Sequence, residues 1–269
     1  MSIIMISRGA HHRGEEVAEK IALRLGYECL SRDILLDASL KYDAPEVKFK
    51  KSMERAPNFF EKLGFDKGKY ISYMRSALLS RLKKDYIVYH GLAGHFFVRN
   101  VSHAFSVRIV VDMKDRVKYC MQSEDVSEET AYAMLHKLDE QRKKWGRYMY
   151  GIDISDPDQY EMVVNINRLT VDEAADIICK TADLEKFHTT AASRQKIEDL
   201  ALEAEVKAVL MNIKAPRDVS AHNGIVSVQV QAKMFKDNKI EGMVEALSKS
   251  VDGVKEVRTE ILPYIQPFE

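Results

Sequence analysis

The first 25 residues constrain the fold more than any other part of the chain. The apolar run 3–6 leads into a loop that Gly9 and Gly14 bracket, and residues 14–25 have the apolar periodicity of a helix. A buried strand, a glycine-bracketed loop and a helix place backbone N–H groups and the positive end of the helix dipole where an anion would bind. The pattern is typical of a phosphate-binding loop. A tight strand-to-helix turn without a ligand is the alternative.

The end of this loop departs from the standard form. A standard loop ends in Gly-Lys-Ser/Thr, where the lysine neutralises the phosphates and the hydroxyl holds magnesium. Here Gly14 is followed by Glu15 and Glu16, and Arg13 precedes it. We expect Arg13 to supply the positive charge that the lysine usually supplies. The two glutamates work against an anion, although acidic residues are also ordinary partners of the helix dipole in a first turn.

Strands and helices alternate over the first 180 residues. This alternation predicts a parallel sheet with helices on both faces, and ligands bind beyond the C-terminal ends of such strands. Arg8, Gly91 and Asp112 are expected at that edge. The predicted strands are 2–7, 27–30, 86–89, 106–111 and 162–165, and the predicted helices are 14–25, 33–41, 70–84, 114–122, 128–144 and 170–180.

The remainder of the chain has a different pattern. Residues 183–193 are predicted to be a linker, because the stretch 189–193 is small and polar and offers little that could pack. Residues 194–269 then follow the order helix, strand, strand, helix, strand, with Asn223-Gly224 as a hairpin turn. We therefore predict an α/β domain at 1–182 and a small α+β domain, αββαβ, at 194–269.

Composition excludes several classes of function. The 41 Lys and Arg balance the 41 Asp and Glu, so the basic excess of a general nucleic-acid binder is absent. The three cysteines are far apart and lack metal-ligand spacing, so no metal site is expected, and the adjacent His11 and His12 are a weaker alternative. No secretion signal or run of about 18 apolar residues is visible, so we expect a cytoplasmic protein without a membrane span.

Two polar clusters suggest phosphate chemistry. Asp139 and Arg142 lie one helical turn apart, and Arg142, Lys143, Lys144 and Arg147 place four cations in six residues. A mobile basic flap of this kind closes over phosphates and neutralises transition-state charge, whereas a solvated helix end is the alternative. Arg32 and Asp33 open a predicted helix. Arg32 would hold an acceptor phosphate, and the Asp33 carboxylate would contact a ribose or base. The alternative is that Asp33 only starts the helix.

Residues 1–180 resemble the cytidylate kinase-like family, a branch of the nucleoside monophosphate kinases. The matching segments are 6–14, 25–27, 32–35, 88–91, 107–110, 115–117, 139–147, 156–160 and 163–165. The resemblance implies a P-loop kinase fold that moves phosphate from ATP–Mg to a nucleoside monophosphate, namely CMP or dCMP.

The resemblance also implies roles for individual residues. The donor side would comprise Gly9, His12, Gly14 and, near the donor base or lid, Arg116. The acceptor side would comprise Arg32, Asp33 and Asp139. Arg142 and Arg147 would be the lid arginines, and they join Arg13, which we expect in place of the loop lysine, as the predicted catalytic cations.

Three departures from the family pattern qualify the expected activity. Residues 11–14 read His-His-Arg-Gly where the family has a sequence close to Gly-Ser-Gly-Gly, Leu92 follows Gly91 where an arginine is usual, and no hydroxyl follows Gly14. Such losses lower a phosphoryl-transfer rate by roughly 10³-fold or more. The alternative function is therefore a catalytically inactive nucleotide sensor that signals through its C-terminal domain.

That C-terminal domain is similar to a BON domain, from its element order and the Gly-Val-x-x-Val pattern at 253–257. BON domains are associated with envelope or lipid contact and with small-ligand or protein binding. The resemblance implies a regulatory role, exerted through a protein partner or self-association.

Overall fold

A computed structural model describes residues 2–9, 13–31, 33–43, 67–91, 94–211, 213, 216–232 and 238–263. Contacts within the chain divide these residues into two compact units. The first unit holds the described residues of 1–36 and 84–190, and the second holds those of 37–43, 67–83 and 191–263.

Five parallel strands form the sheet of the first unit. They are β1 Ile3–Arg8, β2 Glu28–Leu30, β3 Ile87–His90, β4 Ala104–Val110 and β5 Met162–Asn165, in the spatial order β2-β3-β1-β4-β5. Strand β1 is central, and Ile3, Ile4, Met5 and Ile6 are all buried, as expected of a parallel strand covered on both faces. The predicted parallel sheet is confirmed.

Eight α-helices lie in the described parts of the chain. They are α1 Arg13–Leu25, α2 Asp33–Tyr42, α3 Lys67–Leu82, α4 Met113–Glu124, α5 Glu128–Tyr150, α6 Val171–Ala182, α7 Ala191–Leu210 and α8 Asn238–Lys249. Helices α1 and α6 pack together beside the sheet, and Val17, Ala18 and Ile21 of α1 are fully buried. Among the described residues, no helix is both long and apolar enough to cross a bilayer.

Helix α6 begins at the capping box that the sequence predicts. The Thr170 hydroxyl accepts a hydrogen bond from the Glu173 N–H at 3.1 Å, and the Glu173 carboxylate accepts one from the Thr170 N–H at 2.8 Å. This reciprocal pair satisfies two backbone donors that a helix start otherwise leaves open.

The predicted basic flap is instead part of a long helix. Helix α5 continues to Tyr150 and ends at Gly151, whose φ of 71° is left-handed. The reason is that Trp145 and Met149, one turn apart, are buried and hold the last two turns of the helix on the unit. Arg142, Lys143 and Arg147 therefore project from a regular helix, and the predicted end of this helix at residue 144 is wrong.

The predicted linker also contains packed structure. Phe187 is buried in the core of the first unit, with its ring centroid 4.6 Å from that of Phe105, and α7 already begins at Ala191. The expectation that little in 183–193 could pack is therefore wrong at Phe187. The contacts also place helix α3, predicted within the domain 1–182, in the second unit, where it packs along α7.

The second unit contains a three-stranded sheet in the order β6-β7-β8. Strands β6 Pro216–His222 and β7 Ile225–Ala232 are antiparallel, and β8 Glu256–Pro263 is parallel to β7. Asn223 and Gly224 join the first pair with φ values of 51° and 87°, as a two-residue hairpin turn requires. Val219, Val226 and Val228 are buried with residues of α7 and α8. The predicted order of helix, strand, strand, helix, strand is observed from α7 onward.

Candidate functional site

A small cleft with an excess of positive charge lies beyond the C-terminal ends of β1 and β4. Its volume is about 100 Å³. Five cationic side chains line it, together with one carboxylate: Arg8, Arg108, Arg116, Arg142, Lys143 and Asp139. We call these residues the cationic cleft. Clustered charge of one sign in a concave surface raises the local concentration of anions, so this edge of the sheet is built to attract them.

Two strands and two helices bring these cations together. Arg8 is the last residue of β1, and Arg108 lies on the neighbouring strand β4. Arg116 comes from the first turn of α4, and Arg142 and Lys143 come from α5. Because the carboxyl ends of parallel strands meet at one edge of the sheet, residues far apart in sequence reach one cleft.

Asp139, predicted to bind substrate, is bound by Arg116. The Arg116 Nη1 lies 2.7 Å from Asp139 Oδ2 and its Nη2 lies 2.9 Å from Oδ1, which is a two-pronged ion pair. The Arg116 side chain is only 9% exposed, so the pair is largely shielded from water. It fixes α4 against α5 and neutralises one of the five cations. Arg142 Nη1 donates to the Arg8 carbonyl oxygen at 3.2 Å, which ties α5 to the end of β1.

Glu15 interacts with the cleft from the start of α1. Its Oε2 lies 3.1 Å from Arg8 Nη2. A carboxylate therefore stands where a standard loop has its lysine, and it engages an arginine that lines the cleft. This ion pair is the structural counterpart of the unusual Gly14-Glu15 sequence.

Arg13 belongs to a different cavity. Its Nη2 donates to the Leu169 carbonyl oxygen at 3.1 Å. Arg13 lines a groove of about 790 Å³ between α4 and α5, with the exposed side chains of Tyr119 and Met134 on its walls. Val111 and Arg116 border both this groove and the cationic cleft, so the two cavities adjoin. Arg13 is not among the residues that line the cleft.

The other predicted site residues are distributed as follows. Gly9 lines the cleft, and Gly14 is buried as the second residue of α1. Arg147 pairs with Asp153 at 2.5 Å, is 64% exposed and does not line the cleft. His12 and Arg32 lie outside the described residues, as do His11 and the side chain of Asp33.

Arg108 is the cleft residue that the sequence reasoning missed. Its Nη1 donates to the Ile154 carbonyl oxygen at 2.5 Å and lies 3.4 Å from the Tyr160 hydroxyl. The available signal was a single charge inside the apolar strand Ala104–Val110, where burial of both faces leaves little room for a cation.

An aromatic platform lies beside Arg108. The Tyr160 hydroxyl is 2.8 Å from the Ile154 carbonyl oxygen and 3.0 Å from Ser7 Oγ. The ring of His95 packs against that of Tyr160 at 4.7 Å between centroids, tilted by 36°. Burial lowers the pKa of His95 to about 3, with Arg99 and Arg108 adding to the effect. His95 is therefore neutral at neutral pH and packs as an aromatic side chain.

The described residues of the cleft fit an anion better than a metal ion. Within the part of the chain that the structure describes, no group of three or more His, Cys, Asp and Glu side chains is placed to hold a metal. Three carboxylates contact cations of the cleft, and each is already paired: Asp139 with Arg116, Glu15 with Arg8 and Glu140 with Lys143. Phosphate oxygens are the matching ligands for the guanidinium and ammonium groups of the cleft.

The solved structures that match this chain include the following three. An uncharacterized protein from Eubacterium ventriosum has 20% sequence identity and a TM-score of 0.53, with 68% of this chain and 98% of that chain covered. A shikimate kinase from Bacteroides thetaiotaomicron has 10% identity and a TM-score of 0.41, with 68% and 99% covered. A dephospho-CoA kinase from Campylobacter jejuni has 15% identity and a TM-score of 0.34, with 67% and 96% covered.

No curated protein matches the chain significantly. The model of the cytidylate kinase-like family matches residues 3–168, which is more than half of the chain and includes every residue of the cationic cleft. The chain therefore belongs to the cytidylate kinase-like family.

Proposed function

We propose that the chain binds nucleotides and transfers a phosphoryl group from ATP to a nucleoside monophosphate, with CMP or dCMP as the acceptor. The observation that carries this proposal is the cationic cleft. Its five cations outnumber the three carboxylates that pair with them, Glu15, Asp139 and Glu140, at the sheet edge where ligands of open α/β folds bind. A volume of about 100 Å³ suits a phosphate group rather than a whole nucleotide, so the nucleosides would extend beyond it.

The chemistry asks the protein mainly for position and charge. Phosphoryl transfer spreads negative charge over the equatorial oxygens of the transferring group, and fixed cations stabilise that charge. Arg142 and Lys143 on α5 and Arg108 on β4 come from separate elements, so they would contact the group from different directions. Magnesium, brought with ATP, would be held mainly by phosphate oxygens and water and would supply further charge neutralisation.

Arg13 and Arg147 remain proposed catalytic residues, with a structural condition on each. Arg13 would have to give up its bond to the Leu169 carbonyl oxygen, and Arg147 its pair with Asp153, before either reached a phosphate. Arg142 already lines the cleft, and its Nη1 donates to the carbonyl oxygen of Arg8 there. We therefore place Arg142 first among the predicted cations.

A coupled assay of ADP formation tests the proposal. The protein is supplied with ATP–Mg and with CMP, dCMP, UMP or AMP in turn. We expect ADP formation that depends on the monophosphate, and a loss of roughly 10²- to 10³-fold in kcat/KM for Arg142→Ala. Lys144→Ala is the matched control, because Lys144 is exposed on the same helix outside the cleft, and it should change the rate less than about twofold. Equal rates for the two variants would contradict the assignment.

The Arg8–Glu15 pair favours a second candidate function, that of a catalytically inactive nucleotide sensor. A carboxylate that already engages Arg8 lowers the positive potential offered to a transferring phosphate. This candidate predicts nucleotide binding at roughly micromolar affinity without turnover for any monophosphate. Binding accompanied by ADP formation would exclude it.

We further propose that residues 194–269 are a BON-like regulatory domain that associates with a second copy of the chain or with a protein partner. The supporting observations are the element order from α7 to β8 and the exposed polar sheet face that carries Ser220 and Ser227. Native mass spectrometry of the full chain should show a dimer, which Ser227→Arg should disrupt by placing a charge on that face opposite Arg258. A monomer at every concentration would refute self-association.

A further inference from the structure

We propose that Arg108 is the phosphate anchor of the cationic cleft, a role that rests on the proposed nucleotide binding and names the residue that carries it. The ligand class is a tetrahedral phosphate group, on either the donor or the acceptor nucleotide. The argument begins with charge pairing among the cleft cations. Arg8 pairs with Glu15, Arg116 with Asp139 and Lys143 with Glu140. Arg108 has no carboxylate partner among the residues that the structure describes.

The unpaired charge of Arg108 is only partly exposed to water. Its guanidinium is half-buried at the edge of the sheet, and its hydrogen bonds go to the Ile154 carbonyl oxygen and the Tyr160 hydroxyl, which are neutral groups. Removing a charge from water without an opposite charge is costly, and a bound anion offsets that cost. Among the described cations of the cleft, the charge of Arg108 should therefore be strongly stabilised by a bound phosphate.

The geometry of the side chain suits this role. Both of its hydrogen bonds come from Nη1, and neither Nε nor Nη2 bonds to a described residue. A guanidinium is a rigid planar fork, so fixing one amino group fixes the direction of the others. The Nε–Nη2 edge can then bind two oxygens of one phosphate with parallel hydrogen bonds.

The platform beneath Arg108 holds this orientation. The guanidinium carbon lies 5.6 Å from the centroid of the Tyr160 ring. Tyr160 is itself fixed by its hydrogen bonds to Ile154 and Ser7 and by the ring of His95 that packs against it. Tyr160 is therefore a positioning residue, which acts on the phosphate only through Arg108. A preoriented cation loses less conformational freedom on binding, which increases affinity.

Calorimetric titration of the full chain with CMP, with ATP–Mg and with cytidine tests the proposal. Arg108→Ala should weaken binding of CMP, ATP–Mg or both by roughly 10- to 100-fold, as expected for loss of a charged hydrogen-bonded contact, and should leave cytidine binding unchanged. Loss confined to CMP identifies the acceptor phosphate, and loss confined to ATP–Mg identifies the donor. Arg99→Ala is the matched control, because Arg99 is exposed over the Phe96 ring outside the cleft, and it should change affinity less than about twofold.

Two further variants keep the test decisive if Arg108→Ala does not fold. Arg108→Lys keeps the charge but loses the fork, and Tyr160→Phe keeps the ring but loses the hydroxyl, so each should weaken phosphate binding several-fold. Nucleotide affinity unchanged in Arg108→Ala, or in Arg108→Lys where the alanine variant is unfolded, overturns the role of Arg108 and leaves the proposed function standing. A wild-type chain that binds neither CMP nor ATP–Mg overturns both.

Discussion

Replacing Glu15 by glutamine should tighten the binding of phosphate compounds. The carboxylate of Glu15 lies 3.1 Å from Arg8 Nη2, and an anion that enters the cleft competes with it for that guanidinium. The substitution keeps the size and the polarity of the side chain and removes only its charge. The effect on affinity therefore reports the competition directly.

The expected magnitude follows from the exposure of the pair. The side chains of Arg8 and Glu15 are 17% and 42% exposed, so the ion pair is worth only about 0.2–1 kcal/mol. A carboxylate roughly 7 Å from a phosphate dianion adds about 1 kcal/mol of repulsion in water, which salt reduces by about half. The two terms together predict roughly 3- to 10-fold tighter binding for Glu15→Gln.

Calorimetric titration with pyrophosphate at two salt concentrations measures this gain. The gain should shrink between about 50 mM and about 300 mM salt, because screening weakens both contributions. Glu19→Gln is the control, since Glu19 is exposed one turn further along α1, and its effect should stay within about twofold. Unchanged or weaker binding in Glu15→Gln would refute the competition and would indicate that Glu15 supports the ligand instead.

Two substitutions near the cleft test its packing. His95→Phe should remove a pH dependence of stability, because His95 has a pKa of about 3 in the folded protein and takes up a proton near pH 6.5 in the unfolded chain. As pH falls through this window, the unfolding free energy of the wild type, measured by urea denaturation, should fall by roughly 4 kcal/mol more than that of the variant. Gly146→Ala should lower the unfolding free energy by about 1–3 kcal/mol in thermal unfolding, because the new Cβ would lie 2.6 Å from Ile154 Cγ2. Gly242→Ala should instead raise the unfolding free energy by about 0.5–1 kcal/mol, because its new Cβ would have no atom within 4 Å. An equal effect of the two glycine substitutions would contradict the packing argument.

The sheet and most helices of the first unit were predictable because their signals are local. Residues 3–6 are uniformly apolar, which is the pattern of a strand buried on both faces, and the Thr170–Glu173 capping box marks the start of α6 by itself. The end of α5 was not predicted, since the run of charges at 142–147 obscured the buried face that Trp145 and Met149 provide. Phe187 was missed for a related reason, as one aromatic residue in a polar stretch carries no periodicity.

Charge pairing within the cleft depends on tertiary structure. The sequence grouped Asp139 with Arg142 because they are one turn apart, but the carboxylate binds Arg116, which is 23 residues away on another helix. Arg108 was overlooked because a charge inside an apolar strand gives no indication of what it faces. Sequence spacing therefore identified α5 as part of the site and could not assign its partners.

Calorimetric titration of the purified chain with ATP–Mg, at low and at moderate salt, tests the central claim most directly. The cationic cleft predicts one-to-one binding at roughly micromolar affinity that weakens as salt increases, because charge supplies much of the attraction. The absence of binding at either salt concentration would contradict the claim that this cleft receives nucleotide phosphates.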